Sequence, residues 1–503
     1  MLSVLRNRTY RRLFGAQVVA LAGTGLATVA LSLLAYDLAG ADAAVVLGTA
    51  LAIKMAASVG IAPLAGALAV RVPRRALLVS MDLARATVVL ALPFVTRVWQ
   101  AYVLILLLQA ASAVFTPTFQ ATIPQVLPEE RDYTEALSLS RLAYDLENLA
   151  SPVLAAALLA LAPYGWLFTG TAAGFLVSAL LVRTTRLPAP GHAPGGRSDA
   201  ERDVDPGTEP GAGPRVGAGP RVGAGPRVGA GPRVGVAGRD RYARVAFGMR
   251  LFLATPRLRA LLALDLAVAA AGAVVLVDTV LLVRDVLGRG SGDVPLALGA
   301  YGAGSMAVAL LLPRVLSRRD DRGLMLRAAF VLPGALALLA LGLSVAPGTW
   351  SWPALLALWL VLGAAGSAVF TPGGRVLRRS ARSDDLPAAF AARFSLSHAC
   401  WLLAYPLAGV LAARVAPAVS AVVLAGFALL GAVAAVRLWP RDDPAALEHD
   451  HPELPAGHPH VAGGGASHVH AFHIDDLHRR WPPPPGRAKA AARAAMRASS
   501  PGR

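Results

Sequence analysis

Apolar residues run along this chain in long uninterrupted blocks, and polar residues are confined to the short stretches between them. Between Arg327 and Arg375 lie 47 consecutive residues without a charge, and between Glu147 and Arg183 lie 35. A helix needs about 20 apolar residues to cross a bilayer, so each of these runs suits two spans joined by a tight turn. The pattern is that of a helical protein that crosses a membrane many times.

The apolar runs and the turn signals between them predict twelve transmembrane helices. We place them near residues 13–37, 43–70, 76–97, 99–120, 138–161, 164–183, 257–283, 294–314, 324–345, 350–372, 390–413 and 416–438. The first contains 24 uncharged residues, Leu13 to Tyr36, whereas the apolar region of a cleavable signal has roughly 7–15. We therefore expect it to remain as a membrane span.

Composition excludes a soluble globule, a disulfide scaffold and a wholly disordered chain. Of the 503 residues, 55% are hydrophobic and 16% charged, whereas soluble domains carry about 25% charged residues. The net charge of +18 would indicate a nucleic-acid partner in a soluble protein, but here the charges lie between apolar runs. We expect no nucleic acid, and the single cysteine, Cys400, excludes an intramolecular disulfide.

Arginines are unequally divided between the two sets of loops. One set holds Arg6, Arg8, Arg11, Arg12, Arg71, Arg74, Arg75, Arg314, Arg318, Arg319, Arg322, Arg375, Arg378, Arg379 and Arg382. The other set holds Arg97, Arg284, Arg289 and Arg414. Because basic loops stay in the cytoplasm, we expect a multi-pass protein of the plasma (inner) membrane with both termini in the cytoplasm.

An internal duplication relates the two halves of the chain. The hexapeptide Ser-Ala-Val-Phe-Thr-Pro occurs at Ser112–Pro117 and again at Ser367–Pro372, each time toward the end of the fourth span of its half. Weaker echoes pair Arg71–Arg75 with Arg314–Arg319 after the second spans, and Ser151-Pro152 with Tyr405-Pro406 in the fifth spans. Two six-helix halves related by an axis along the membrane normal suit a central cavity that opens alternately to each side.

Four segments follow from these patterns. They are an N-terminal six-helix half (1–183), a flexible Gly/Pro/Arg cytoplasmic linker (184–247), a C-terminal six-helix half (248–438) and a disordered His/Pro-rich cytoplasmic tail (439–503). The linker contains four tandem copies of Gly-Ala-Gly-Pro-Arg-Val between Gly211 and Val234. Glycine and proline at this density favour an extended tether, although the regular arginines also suit anionic lipid headgroups.

Several stretches resemble the major facilitator superfamily, in the branch that includes the enterobactin exporter and macrolide-efflux-type proteins. They are the opening Leu5–Phe14, Gly66–Ala69 followed by Arg71, Arg74 and Arg75, Asp82–Arg85, Pro117 through Pro124 to Glu130, and Gly248–Phe252 followed by Pro256–Arg259. Two positions depart from the family pattern. Val70 stands where relatives have an acidic residue that locks the cytoplasmic gate, and the glycine-rich antiporter motif of the fifth span is reduced to Ser151–Ala156 around Pro152.

The resemblance implies the major facilitator fold, all-α, with twelve spans in two pseudo-symmetric halves. It further implies a secondary active transporter that exports small amphipathic molecules, drug-like or siderophore-like, in exchange for protons. We expect a monomer in the lipid bilayer, with no cofactor. The chain contains neither a P-loop nor a Gly-x-Ser-x-Gly elbow, so we expect no ATPase or hydrolase. The alternative is a non-transporting membrane scaffold or sensor whose tail binds metal.

Ionisable groups inside the spans are candidate functional residues, because each costs at least about 2.5–3.5 kcal/mol at mid-bilayer. Lys54 lies 11 residues into the second span, so it is either a transport residue or a lysine that reaches a water-filled cavity. Asp82 and Arg85 share a helix face at i, i+3 and form either a functional pair or, as we favour, a structural ion pair that supports the gate.

Carboxyl groups in spans five and seven are the candidate proton carriers. Asp145 and Glu147 point to different faces, and Asp265 and Asp278 lie toward opposite ends of span seven. We expect Asp278 or Glu147 to bind the coupling proton, since burial raises a carboxyl group's proton affinity.

Three further side chains extend the candidate pathway, and the tail offers metal ligands. His398 is either a proton relay or a core histidine, and Gln17 and Gln109 bind either substrate or a neighbouring helix. His468, His470 and His473 are spaced to ligate a transition metal, although a solvated tail is the simpler interpretation.

Overall fold

The computed structural model describes residues 2–39, 43–68, 72–161, 163, 165–185, 187, 240–290, 293–345, 348–443, 446–450, 467–475 and 477–482. The N-terminal half consists of α1 (Arg8–Ala39), α2 (Ala43–Leu68), α3 (Arg74–Ala91), α4 (Val98–Val126), α5 (Glu130–Leu159) and α6 (Gly165–Arg183). A 3₁₀ turn at Leu2–Arg6 precedes α1, and another at Leu92–Phe94 extends α3. Each of the first six predicted spans falls on one of these helices.

The C-terminal half contains more helices because some spans are broken. It consists of α7 (Asp240–Ala254), α8 (Pro256–Ala273), α9 (Thr279–Leu281), α10 (Asp293–Leu316), α11 (Asp321–Leu343), α12 (Ser351–Phe370), α13 (Gly373–Ser380), α14 (Leu386–Arg414) and α15 (Pro417–Leu438). π-Helical turns at Val274–Asp278 and Leu282–Val286 join α8 and α9 into one helical segment. All six predicted spans of this half are helical.

The described residues include nine helical segments that are long and apolar enough to cross a membrane. The remaining three predicted spans coincide with α1, α2 and α5, which is consistent with twelve. Large apolar side chains such as Phe94 and Leu341 are exposed on the outside of the bundle, as expected where lipid replaces water. The prediction of an all-α membrane protein is confirmed, and the helices are consistent with two six-helix halves.

The duplicated hexapeptide lies inside α4 in one half and at a helix break in the other. α4 continues for nine residues beyond Pro117, whereas α12 ends at Phe370 and α13 begins after Pro372. The chain after Pro372 reads Gly373-Gly374, where the first copy is followed by Thr118-Phe119. Glycine is a poor helix former, so we attribute the break to this pair, and α12 plus α13 together correspond to α4.

Small residues let helices approach closely within each half. A Cβ atom at Gly304 of α10 would overlap the carbonyl oxygen of Leu360 in α12, and one at Gly363 would overlap that of Tyr301. In the other half, the hydroxyl of Thr171 in α6 donates to the carbonyl of Gly23 in α1 at 2.9 Å. Such contacts replace hydrophobic burial as a source of helix association in lipid.

The two halves meet mainly where α2 packs on α14 and α5 packs on α10, with smaller contacts of α4 with α14 and of α2 with α7. The hydroxyl of Ser395 in α14 donates to the carbonyl of Val59 in α2 at 2.5 Å. We call the end of the bundle where α2 ends and α3 and α5 begin the arginine-rich end, because the large arginine clusters lie there. This arrangement leaves a space along the central axis between the halves.

The structure differs from the sequence expectations in the linker and the tail. α7 begins at Asp240, so helix covers the last eight residues of the range assigned to a flexible linker, while the repeats lie outside the described residues. In the tail, β1 (Ala446–Asp450) and β2 (Ser467–Ala471) form an antiparallel pair. Phe472 and Ile474 are buried against the C-terminal half, so apolar packing orders this part of the tail.

Candidate functional site

A cavity of about 450 Å³ lies between the two halves. Its walls come from α1 to α6 on one side and from α12, α13 and α14 on the other. Of the predicted pathway residues, Gln17, Lys54, Gln109 and His398 line it. The sequence thus identified four side chains from four different helices that the fold brings to one space.

Aromatic rings form much of the cavity wall. The six phenylalanines that line it are Phe115, Phe119, Phe175, Phe370, Phe390 and Phe394. Phe115 stacks on Phe119 with ring centroids 5.7 Å apart. These rings offer an apolar surface with π faces, which suits organic groups of varied shape.

Lys54 is the ammonium group of this cavity. The hydroxyl of Ser58 donates to the Lys54 carbonyl at 2.9 Å, and the Lys54 side chain interacts electrostatically with Glu147 of α5 and His398 of α14. Lys54 therefore interacts with one ionisable group of each half.

Asp82 and Arg85 form the ion pair expected from their spacing. Asp82 is fully buried and also accepts a hydrogen bond from Ser178 of α6 at 2.7 Å. The Arg85 guanidinium lies over the rings of Phe115 at 4.1 Å and Phe175 at 4.5 Å. The pair joins α3, α4 and α6 and presents a cation to the cavity.

Two more arginines reach the cavity, and sequence reasoning missed both. Arg141 pairs with Asp145 at 3.2 Å, and both bind the hydroxyl of Ser305 in α10, at 2.9 Å and 2.6 Å. The i, i+4 spacing of Arg141 and Asp145 could have indicated this ion pair from the sequence. Asp145, of the carboxyl pair in span five, therefore contacts the opposite half.

Arg393 lies 128 residues from its partner, so no sequence spacing indicates the pair. Its guanidinium pairs with Asp265 of α8 at 3.4 Å and donates to the Phe370 carbonyl at 3.3 Å. Asp265 is therefore a structural partner of a cavity arginine.

Gln17 and His398, two of the predicted pathway residues, form hydrogen bonds with neighbouring residues. Ser140 donates to the amide oxygen of Gln17 at 3.0 Å, linking α5 to α1. His398 Nδ1 donates to the Phe394 carbonyl at 2.7 Å, which leaves Nε2 as the acceptor of the neutral ring.

Asp278 does not line the cavity. It is buried in the first π-helical turn and accepts a hydrogen bond from Ser420 of α15 at 2.7 Å. Its other oxygen has no hydrogen-bond partner among the described residues.

The predicted gate residues are only partly described. Arg74 is buried and Arg75 exposed at the start of α3. Gly66 lies in α2 and Pro152 in α5, while Val70 and Arg71 lie outside the described residues.

The arginine-rich end is closed by contacts that sequence reasoning did not predict. Arg375 of α13 contacts Glu130 at 2.6 Å and the Thr134 hydroxyl at 2.5 Å, both in α5, and Asp321 of its own half at 3.0 Å. We call these contacts, together with that from Arg378 to the Pro128 carbonyl, the inter-half cluster. In the sequence, Gly373-Gly374 after the second hexapeptide could have indicated a close helix contact at this position.

Gly374 lets this cluster form. A Cβ atom there would lie 2.8 Å from the Tyr133 hydroxyl and 2.9 Å from Leu137 Cδ2. A larger residue would push α13 away from α5, so glycine at this position permits close contact of the halves.

Only part of the predicted metal site in the tail lies within the described residues. His468 and His470 belong to β2, but their side chains lie outside the description, whereas His473 is described. Across the described part of the chain, no group of three or more His, Cys, Asp or Glu side chains is arranged to hold a metal ion.

Three solved structures with a similar arrangement of helices are of transporters. The human organic anion transporter MFSD10 (TETRAN) has a TM-score of 0.62 at 15% identity and covers 85% of this chain and 99% of its own. A bacterial homologue of the iron transporter ferroportin, in an outward-facing state, has a TM-score of 0.64 at 12% identity, with coverages of 86% and 99%. The E. coli fucose:proton symporter FucP has a TM-score of 0.59 at 12% identity, with coverages of 86% and 98%. At these identities the likeness shows the fold alone.

Sequence comparison identifies the family. The uncharacterized MFS-type transporter YfiS of Bacillus subtilis (strain 168) is 27% identical over 120 residues, which span 24% of this chain and 28% of that protein. The profile of the Major Facilitator Superfamily matches residues 13–344, more than half of the chain. The chain therefore belongs to the Major Facilitator Superfamily and is a membrane transporter, not an enzyme.

Proposed function

We propose that this chain is a secondary active transporter that exports small amphipathic molecules in exchange for protons. One observation carries the proposal: an aromatic and polar cavity lies between two six-helix halves that are joined at the arginine-rich end by the inter-half cluster. Rocking of the halves about such a cavity gives alternating access. We assign the arginine-rich end to the cytoplasm, because basic loops are retained there.

The cavity chemistry supports an amphipathic substrate. Phenylalanine rings supply apolar contact, and Gln17, Gln109 and Lys54 supply hydrogen-bond and charged groups. A drug-like or siderophore-like molecule, with an aromatic body and polar groups, matches both. The structurally similar MFSD10 is described as an organic anion transporter, which is compatible with organic substrates in this fold. On the sequence motifs, we further propose that the chain belongs to the enterobactin-exporter and macrolide-efflux branch.

For proton coupling we favour Glu147 over Asp278. Glu147 interacts electrostatically with Lys54, which lines the cavity, whereas Asp278 is packed against Ser420 away from it. Protonation of Glu147 removes a negative charge near Lys54, so substrate binding and proton binding affect the same local charge balance. A fold neighbour, FucP, is a fucose:proton symporter, so this fold accommodates proton coupling.

The test is flux in proteoliposomes that contain the full chain. A panel of fluorescent amphipathic molecules is loaded, and flux is followed with and without an imposed pH gradient. We expect at least one compound to move several-fold faster with the gradient. Absence of flux for the whole panel, with correctly folded protein, contradicts transport of this substrate class.

Neutralising Glu147 tests the coupling step. We expect Glu147→Gln to keep downhill exchange while losing the acceleration by the pH gradient. The matched control is Glu129→Gln, because Glu129 is an exposed glutamate just before α5. If Glu147→Gln and Asp278→Asn both retain full gradient dependence, neither is the coupling group.

A further inference from the structure

A groove in the C-terminal half is separate from the transport cavity. Its volume is about 450 Å³, within the usual range of ligand sites. Its walls are the π-helical turn Leu282–Val286, the last turns of α11 and the first half of α12. α11 begins at the arginine-rich end and α12 returns to it, so the groove lies toward the opposite end of the bundle.

The groove is apolar along its length and polar at one end. Leu339 and Leu355 are buried within it, whereas Leu338 is exposed at its edge. Among the described residues that line it, Trp350 and Ser351 carry the polar side-chain atoms, and they adjoin each other at the start of α12. Since exposed side chains of the spans face lipid, the groove opens to the bilayer.

The length of the groove matches one leaflet of a membrane. Ser351 and Val361 both line it and lie ten residues apart on α12, which is about 15 Å along a helix. The hydrocarbon core of a bilayer is about 30 Å thick, so one leaflet contributes about 15 Å. Trp350 lies at the polar end, where aromatic residues are enriched in membrane proteins. An acyl chain of one leaflet therefore fits, with its headgroup near Trp350.

A charged pair lies where the headgroup of such a lipid would be. Arg289 is two residues beyond Leu287, which lines the groove, and its guanidinium lies 4.3 Å from the ring centroid of Trp352, directly after Ser351. Its Nε donates to Asp293 at 2.9 Å. A guanidinium has five N–H donors, so the Nη groups of Arg289 can bind a phosphate while Nε holds Asp293.

The charges beside the groove have both signs. In addition to the pair of Arg289 and Asp293, Arg284 and Asp285 are exposed directly before Val286, which lines the groove. Two arginines and two aspartates balance each other. Charge complementarity therefore favours a zwitterionic headgroup, with its phosphate on an arginine and its ammonium group on an aspartate, over a headgroup with a net negative charge.

We propose that this groove binds one phospholipid with a zwitterionic, amine-bearing headgroup. Its acyl chain lies between the π-helical turn Leu282–Val286, α11 and α12, and its phosphate lies on Arg289. The site does not depend on the proposed transport function. Because the lipid binds the folded chain, it should also stabilise the protein against unfolding.

The test is lipid binding by the full chain, purified in a mild detergent, delipidated and followed by native mass spectrometry. Phosphatidylethanolamine should occupy one site per chain and bind about 10-fold more tightly than phosphatidylglycerol with the same acyl chains, because the latter lacks the ammonium group. Ala357→Trp fills the groove and should abolish this site. The matched control is Ala337→Trp, since Ala337 is an exposed alanine of α11 that does not line the groove.

Arg289→Gln tests the headgroup contact. It should weaken binding of phosphatidylethanolamine by about 10-fold, because a hydrogen bond to a charged group is lost. The control is Arg414→Gln, since Arg414 is an exposed arginine at the end of α14, toward the same end of the bundle. Equal weakening by both variants would reduce the effect to general surface charge and overturn the proposed headgroup site.

A second measurement uses the unaltered chain in vesicles, so it holds even where Ala357→Trp fails to fold. Phosphatidylethanolamine with a photoreactive group on its acyl chain should label residues 350–361 several-fold more than residues 98–110 of α4, which also expose apolar side chains. Even labelling of the two segments overturns the proposal. So does phosphatidylglycerol binding as tightly as phosphatidylethanolamine, or loss of the site in Ala337→Trp.

Discussion

Buried charges within the spans are held by partners on other helices, and Arg85 is the clearest case. Its guanidinium has a carboxylate partner on the same helix and an aromatic ring on each side, from α4 and α6. Asp82 has Ser178 as its second partner. Removing either charge leaves the other buried without its counter-ion, which is the expensive case for a buried pair.

The buried Asp82–Arg85 ion pair should make a measurable contribution to the stability of the protein. Arg85→Leu should lower the free energy of unfolding by about 3–5 kcal/mol, because Asp82 is left buried with Ser178 alone. Adding Asp82→Asn to Arg85→Leu should recover most of the loss. Unfolding in mixed micelles by SDS titration measures both variants.

The control for this effect is Arg131→Gln. Arg131 pairs with Glu135 at 3.7 Å, but its side chain is 85% exposed, so the change should stay within about 0.5 kcal/mol. A loss at Arg85 no larger than at Arg131 would show that the buried pair is not structural.

The sequence reveals lone charges in spans better than it reveals partners. Lys54 and His398 were recognisable because each interrupts an apolar run, and both line the cavity. Arg141 and Arg393 lie near the starts of their spans, where arginines usually belong to loops, and were overlooked. The pairing of Arg393 with Asp265 depends on how α14 packs on α8, which no local spacing encodes.

At the scale of helices, α13 is the element that links the halves. Arg375 contacts the N-terminal half, whereas Arg379, one turn further along, pairs with Asp321 inside its own half. The two arginines therefore provide a matched comparison on one helix. We propose that the inter-half cluster takes the place of the acidic gate residue that the family resemblance predicts at position 70, where this chain has Val70.

Arg375→Gln should favour opening at the arginine-rich end. Hydrogen bonds to charged groups contribute about 1.5–3 kcal/mol, so we expect roughly 10-fold faster labelling of Thr371→Cys, which lines the cavity, in a Cys400→Ser background. The measurement uses an impermeant maleimide on inside-out vesicles. Arg379→Gln should leave the rate within about two-fold, and equal acceleration by both variants would assign the effect to the stability of α13.

Contact between α10 and α12 provides a second prediction at this scale. Gly304→Ala should destabilise the protein by about 2 kcal/mol or more, since the new methyl group would overlap the Leu360 carbonyl and force the helices apart. Gly334→Ala in α11 meets no atom within 4 Å and should stabilise by about 0.5–1 kcal/mol. Thermal unfolding in detergent compares them, and equal shifts would argue against close packing at Gly304.

The helices were predictable because the length of an apolar run is enough to indicate a membrane span. Breaks and additions were not: α12 ends early at a Pro-Gly-Gly sequence that α4 lacks, and α7 begins within a segment that composition assigned to the linker. Directly after the β1–β2 pair, Phe472 and Ile474 are buried against the spans. Tail composition, rich in proline, glycine and histidine, gives little indication of such docking.

At the scale of the whole molecule, the two halves together create what neither has alone. Lys54, Gln17 and Gln109 come from the first half, and His398 and Arg393 come from the second. The duplication in the sequence predicted this shared central space, although not its shape. Direction of transport then depends on which end of the cavity faces the cytoplasm, and the arginine distribution bears on that question.

Orientation in the membrane is the last prediction. The loops at one end carry most of the short-loop arginines, and such loops are retained in the cytoplasm during insertion. A green fluorescent protein fused after Arg503 should therefore fluoresce in a bacterial host, and alkaline phosphatase fused at the same position should be inactive. The control places the same reporters in the loop after Arg97, on the opposite side, where the phosphatase should be active. Active phosphatase at the C-terminus would invert the assignment, and the closure seen at the arginine-rich end would then face the outside.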